Sequence, residues 1–240
     1  MKVFGSWRDW PSAEADLAGR SNAGQFNTGQ LNAGQFNAGQ FNAGQFNKDT
    51  VVSLAAAYAF AADRHTGQTR PAGEPYTWHL LEALEIAVDS GVTDADVLVA
   101  ALLHDVVEDT PTTLDEVRTE FGERTAELVG WVTRPRPVAG EKPAEVRTGY
   151  LARFAGAPLE VLTVKLSDRY SNVQRLDTHP RPAKQAAYYA ETVRHFVPLA
   201  AQIRYFDALF CQWRHDFAHL AADAPADVAP GPADQYGPGR

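Results

Sequence analysis

Between Val99 and Thr113 the chain reads Val-Ala-Ala-Leu-Leu-His-Asp-Val-Val-Glu-Asp-Thr-Pro-Thr-Thr, and this stretch limits fold and chemistry more than any other. Val99, Leu102, Leu103, Val106 and Val107 recur at helical spacing. Into that apolar stripe the sequence inserts His104, Asp105, Glu108 and Asp109. The pairs 104/108 and 105/109 stand one helical turn apart, so each pair is expected to point one way. Burying such groups is costly unless a metal or a partner takes up the charge. An adjacent His-Asp offers one nitrogen and one carboxylate oxygen, a mixture suited to Zn, Mn or Fe more than to calcium. Two ligands do not fill a coordination sphere, so the rest of the chain must supply others.

The 240 residues suffice for one good core with appendages. A formal net charge of −8 and a pI near 5.3 argue against a general nucleic-acid binder, so no DNA or RNA partner is expected. A small anionic substrate stays compatible, because a bound cation and a few arginines reverse the field locally. The single cysteine, Cys211, rules out an intrachain disulfide framework and any Cys-rich metal site. Its neighbours Phe210 and Trp213 suggest an inert core position. No apolar run reaches transmembrane length, and the first residues lack the apolar core of a signal peptide. The expectation is a cytoplasmic protein without a membrane partner.

Four segments emerge: an N-terminal segment (1–22), a repeat tract (23–47), a helical body (50–220) and a Pro/Ala/Gly-rich tail (221–240) expected to be disordered. The tract runs Ala23-Gly24-Gln25-Phe26-Asn27 and onward to Asn47, with an apolar residue every fifth position. Neither helix nor strand has period five. The unit resembles that of the pentapeptide-repeat family, which implies a β-helix coil. A flexible, self-associating tract and a segment docked on the main domain are the other readings, and the first two raise the expectation of a homo-oligomer. From Thr50 onward the pattern is helical: Val51–Ala62, Trp78–Val88, the organising stretch, then 143–154, 158–170 and a long pattern from Pro182 to His219 with Pro198 as kink or first-turn residue. Thr113 with Glu116 forms a capping box, and Thr93 or Asp94 caps the helix before the organising stretch. The fold class is all-α.

Candidate partners for His104 and Asp105 are His79, early in a helix, and Asp168, at the inner end of an apolar run. Together they would give two nitrogens and two oxygens with positions open to water and substrate. Four separated motifs now stand in order: His65-Thr66-Gly67-Gln68-Thr69-Arg70; Gly73 to His79; Ala101 to Thr110; and Lys165-Leu166-Ser167-Asp168-Arg169. They resemble the HD hydrolase domain of the RelA/SpoT family over residues 50 to 205, and Ala190-Glu191-Thr192 fits its trailing helix. The resemblance implies an HD-type helical, metal-dependent phosphohydrolase of the small stand-alone alarmone-hydrolase kind. It implies Mn²⁺-dependent hydrolysis of the 3′-pyrophosphate of guanosine 3′,5′-bispyrophosphate (ppGpp) to GDP and pyrophosphate. By it, His79, His104, Asp105 and Asp168 bind metal, and Glu108 with Asp109 is the catalytic acidic pair. The ligand set also admits Zn²⁺ or Fe²⁺.

Arg70, Lys165, Arg169 and Asn172 are the candidates for substrate contact; Arg70 comes first, and Lys165 and Arg169 read equally as structural ion-pair residues. The chain departs from the family pattern at Pro71, where lysine is common, and at Gln174, where a cation is common. The residues implied to bind metal all match the family pattern, while the nucleoside end is altered. Two alternatives therefore stand beside the alarmone reading: an HD phosphohydrolase for another nucleotide, such as an adenosine alarmone or NADPH, and a non-catalytic binding or scaffold module assembled through the repeat.

Overall fold

The computed structural model describes residues 1–22 and 46–221. Those residues form helices and turns without a sheet; one isolated antiparallel bridge joins Thr69 to Pro75. In chain order the helices are α1 (Trp10–Asn22), α2 (Lys48–Arg64), α3 (Tyr76–Asp89), α4 (Ala95–Leu103), α5 (Val106–Asp109) and α6 (Leu114–Phe121). There follow α7 (Glu123–Val132), α8 (Pro143–Ala152), α9 (Leu159–Val173), α10 (Pro182–Glu191), α11 (Val197–Ala200) and α12 (Arg204–Asp216). The all-α expectation holds among these residues. Most of the repeat tract and the tail lie outside them.

Helices α3, α4 and α9 are buried on nearly every side and form the centre of the fold, α4 through apolar residues alone and α3 and α9 with polar side chains among theirs. They pack on one another, and α2, α7 and α12 enclose them. Asp94 caps α4 by accepting from the Asp96 amide at 3.0 Å. Thr113 and Glu116 form the expected capping box on α6, a device that stabilises a helix by about 1 kcal/mol. Trp213 on α12 donates its indole N–H to the Val173 carbonyl at 2.8 Å, tying the last long helix to the end of α9.

Three sequence expectations change. First, the organising stretch does not run as one helix up to a break at Thr110-Pro111: α4 ends at Leu103, and α5 starts after a turn at His104-Asp105. The His104 side chain donates from Nδ1 to the Ala101 carbonyl at 2.8 Å, competing with the backbone ladder there, and Asp105 takes φ −102°, ψ −6°. Second, the pattern from 182 to 219 is broken by a π-type turn over Thr192–Phe196 and again before Arg204. Pro198 lies in the first turn of α11, where its missing N–H leaves no gap in the ladder. Third, Cys211 is exposed. On α12 the inward face is Phe206, Leu209, Phe210 and Trp213, and Cys211 falls on the opposite side.

The N-terminal segment packs into the same core. Phe4, Trp7, Ala13 and Leu17 are buried. The Gly5 and Ser6 amides donate to Glu85 Oε2 at 2.7 and 3.1 Å, and the Phe4 amide donates to Gln174 Oε1 at 2.7 Å. No helix among the described residues is long and apolar enough to cross a membrane.

Candidate metal centre

The turn between α4 and α5 points His104 and Asp105 at the first turn of α3, which carries His79, and at the middle of α9, which carries Asp168. One ligand atom from each of the four residues lies within 4.8 Å of all the others. His79 Nε2 and His104 Nε2 stand 3.0 Å apart. His104 Nε2 is 2.9 Å from Asp105 Oδ2, and His79 Nε2 is 3.3 Å from Asp105 Oδ2 and 3.4 Å from Asp168 Oδ1. Donor atoms around an ion with bonds of about 2.1 Å sit roughly 3.0–3.4 Å apart, so the spacing suits a small divalent cation.

The outer nitrogens of both rings are already engaged. His104 Nδ1 donates to a backbone carbonyl, and His79 Nδ1 meets Ser171 Oγ at 2.8 Å, whose hydroxyl donates onward to Glu82 Oε2 at 2.7 Å. This leaves each Nε2 lone pair aimed at the centre, the arrangement that a metal ligand needs. Burial alone would push the His104 imidazole down. The facing Asp105 and Asp168 carboxylates outweigh it and hold His104 well above its ordinary value, while they are themselves held well below theirs despite burial. A cation is wanted at this point, and a divalent ion competes with a proton for it. The residues fit a divalent metal.

Ser171 is not evident as a site residue from the sequence, because its role is to orient another side chain. Ser171→Ala is expected to weaken metal binding about 10- to 100-fold while the helices stay folded. Titration against a chelating dye checks this, and an unchanged affinity would remove Ser171 from the site.

The acidic pair separates. The Tyr76 hydroxyl donates to Asp105 Oδ2 at 2.5 Å and lies 3.0 Å from Asp109 Oδ2, so Asp109 shares a hydroxyl with a ligand. Glu108 instead turns toward the loop after α7: its Oε1 pairs with Arg134 Nη2 at 2.6 Å, and its Oε2 accepts the Arg134 amide at 3.0 Å. Burial, then the charge of Asp105, raises Glu108 against the pull of Arg134. Asp109 is pushed up to about 7 by burial, then by the charges of Asp105 and Glu108. An unfolded aspartate titrates near 3.9. Between these values the folded, metal-free protein holds a proton that the unfolded chain has released, so stability falls as pH rises from about 4 to about 7. With metal chelated, the melting temperature is expected to drop from pH 5.5 to pH 8, and Asp109→Asn to flatten that slope. The same slope in the variant would assign it to another group.

These side chains floor a cleft also walled by Arg134, Arg147, Tyr150, Lys165, Arg169 and Tyr188. Lys165 Nζ pairs with Asp168 Oδ2 at 2.8 Å, and that charge raises Lys165 against its burial. Asn172 donates to Asp168 Oδ1 at 2.6 Å. Arg169 bonds Glu191 at 2.9 Å, Thr192 Oγ1 at 2.8 Å and the Tyr188 carbonyl at 3.0 Å, and Arg147 pairs with the other Glu191 oxygen. The π-type turn lies at this contact, and Glu191-Thr192 is thus the partner of Arg169.

Arg70 lies elsewhere. It pairs with Glu82 Oε2 at 2.9 Å and lines a second cavity with Arg8, Pro71, Trp78 and Arg175. Asn172 and Tyr188 line both cavities and join them. Each encloses about 790 Å³, solvent-open space included, within the range of small-ligand sites. Gln174 does not face this cavity. It is fully buried, bonding the Phe4 amide and Glu82, while its neighbour Arg175 supplies a cation to the wall.

Comparison with known proteins agrees with this geometry. The family profile described as HD domain matches residues 57–203, and one described as pentapeptide repeats (8 copies) matches residues 18–49. The bifunctional (p)ppGpp synthase/hydrolase SpoT of Escherichia coli K12 is 35% identical over 159 residues, which is 65% of this chain and 22% of that protein. The guanosine-3′,5′-bis(diphosphate) 3′-pyrophosphohydrolase of Aquifex aeolicus is 36% identical over 147 residues, 61% of this chain and 21% of that one. The chain thus spans about a fifth of the length of these relatives. A solved structure of a metazoan ortholog of SpoT that hydrolyses ppGpp superposes with a TM-score of 0.61 at 23% identity, over 68% of this chain and 94% of that one, which speaks for the shared fold. The chain belongs to the HD-domain hydrolases of the RelA/SpoT family, with a pentapeptide-repeat-like stretch near its N-terminus.

Proposed function

We propose that the protein hydrolyses the 3′-pyrophosphate of guanosine 3′,5′-bispyrophosphate to GDP and pyrophosphate, with Mn²⁺ held by His79, His104, Asp105 and Asp168. The observation that carries this reading is the ligand quartet with Asp109 beside it, under a cation-walled cleft that continues at Asn172 into a second cavity. The relatives named for ppGpp chemistry support it.

A bound divalent ion supplies Lewis acidity to the phosphoryl group and to a water. Asp109 takes the proton of the attacking water as the new P–O bond forms, and that proton passes to the 3′-oxygen as its bond to phosphorus breaks, leaving the 3′-hydroxyl of GDP. Tyr76 holds the Asp109 and Asp105 carboxylates in register. Glu108 keeps Arg134 over the cleft, where Arg134, Arg147 and Lys165 face the charge of the departing pyrophosphate. Arg169 acts through Glu191 and the π-type turn, which set the cleft wall, and Asn172 marks the passage toward the nucleoside. The segments 50–220 and 1–22 serve as one catalytic body.

The test is hydrolysis of ppGpp by purified protein with Mn²⁺, with the adenosine counterpart and NADPH in parallel and products resolved by chromatography. GDP plus pyrophosphate, absent in Asp105→Ala, is the expected result. Cleavage of a parallel substrate alone would redirect the reading to another nucleotide. Silence on all three with metal bound would overturn it.

A further inference from the structure

The second cavity borrows a residue from outside the HD domain. Arg8, in the segment before α1, lays its guanidinium over the Trp78 ring at 4.3 Å from the centroid. Trp78 directly precedes the metal ligand His79 in α3. Two interactions hold Arg8 in place. Phe4 and Trp7 are buried just before it, and the Asp9–Ser12 turn that opens α1 takes the Arg8 amide on Ser12 Oγ at 3.1 Å. Gly5 completes the arrangement: at φ +114°, an added Cβ would lie 2.8 Å from Arg175 Nη2 and 2.9 Å from Glu82 Oε1. The segment is shaped around the arginines it touches.

Three arginines thus surround one buried carboxylate. Arg70 and Arg175 take the Glu82 oxygens at 2.9 and 2.5 Å, whereas Arg8 stands 3.7 Å away, outside hydrogen-bond range, with its side chain 45% exposed. Arg8 is thus the least engaged of the three arginines that line the cavity. Pro71, Trp78 and Tyr188 give the cavity flat apolar faces beside the polar groups of Asn172, Thr178 and His179, a mixture that suits a heterocycle with polar edges.

We infer that Arg8 is a specificity-determining residue that reads the guanine edge of the nucleotide. Guanine offers N7 and O6 side by side as acceptors, which a guanidinium fork takes in bidentate fashion; adenine sets an N6 amino donor beside N7 and opposes one arm. Arg8 thereby supplies the cation that Pro71 cannot. The inference rests on the nucleotide reading of the two cavities.

The test measures calorimetric binding of GDP and ADP, and hydrolysis of ppGpp and its adenosine counterpart, on full-length wild type, Arg8→Ala and Arg8→Lys. Wild type is expected to favour GDP over ADP. Arg8→Ala should lose GDP affinity about 10- to 100-fold with ADP little changed, and lysine should restore little because it lacks the fork. In turnover the loss should fall in KM for the guanosine substrate, leaving kcat near wild type. Equal losses for both bases, or GDP preference kept in Arg8→Ala, would overturn the inference even if wild type hydrolyses ppGpp. Arg8-dependent GDP preference without ppGpp turnover would sustain it and overturn the proposed reaction instead.

Discussion

Asp105→Ala is expected to strip the protein of its divalent ion and to lower turnover of ppGpp by on the order of 10³-fold or more. Asp105 Oδ2 faces both histidine Nε2 atoms at 2.9 and 3.3 Å, closer than Asp168 Oδ1 at 3.6 and 3.4 Å, so its loss opens the tighter side of the quartet. Its loss also leaves His104 without the charge that holds its proton affinity up most strongly. Added Mn²⁺ stabilises wild type by mass action, and that shift in melting temperature should vanish in the variant. Elemental analysis after dialysis, paired with the melting curves, separates this outcome from simple unfolding. A variant that keeps one equivalent of metal would remove Asp105 from the ligand set.

Asp109→Asn should do the opposite with metal: retain it, yet lose about 10²- to 10⁴-fold in turnover. The amide keeps the size of the carboxylate and a partner for the Tyr76 hydroxyl 3.0 Å away, but it cannot accept a proton at the reaction pH. Any limb of the wild-type pH–rate profile that belongs to the Asp109 carboxylate should be missing from the residual rate of the variant. Glu108→Gln is expected to keep metal as well, and to lose turnover by weakening the hold on Arg134. Metal content and rate on each protein decide between these roles. Full activity in Asp109→Asn or in Glu108→Gln would cancel the role given to that residue.

Much of the site was legible because its chemistry is local in sequence. The His104-Asp105 pair in an apolar stripe needs a metal or a partner whatever the fold, and His79, early in an apolar helix, and Asp168, after an apolar run, each demand one too. The central place of α4 follows from its all-round apolarity. Other features depend on distant contacts and leave little mark in one dimension. Ser171 matters only because α9 lies against α3, and Arg134 only because the loop after α7 crosses Glu108.

The sequence by itself determined a helical body and the need of His104 and Asp105 for partners, since helical period and the cost of burying charge are properties of residue type and spacing; the quartet with His79 and Asp168 was implied by the family resemblance and is brought together by the fold. Tertiary structure alone decided how the acidic pair divides between Tyr76 and Arg134, why Cys211 faces outward, and that Arg70, Arg175 and Arg8 meet around Glu82. These depend on which surfaces come together across long stretches of chain. A side chain's partner is fixed by the geometry of packing, while its need for one is fixed by its chemistry.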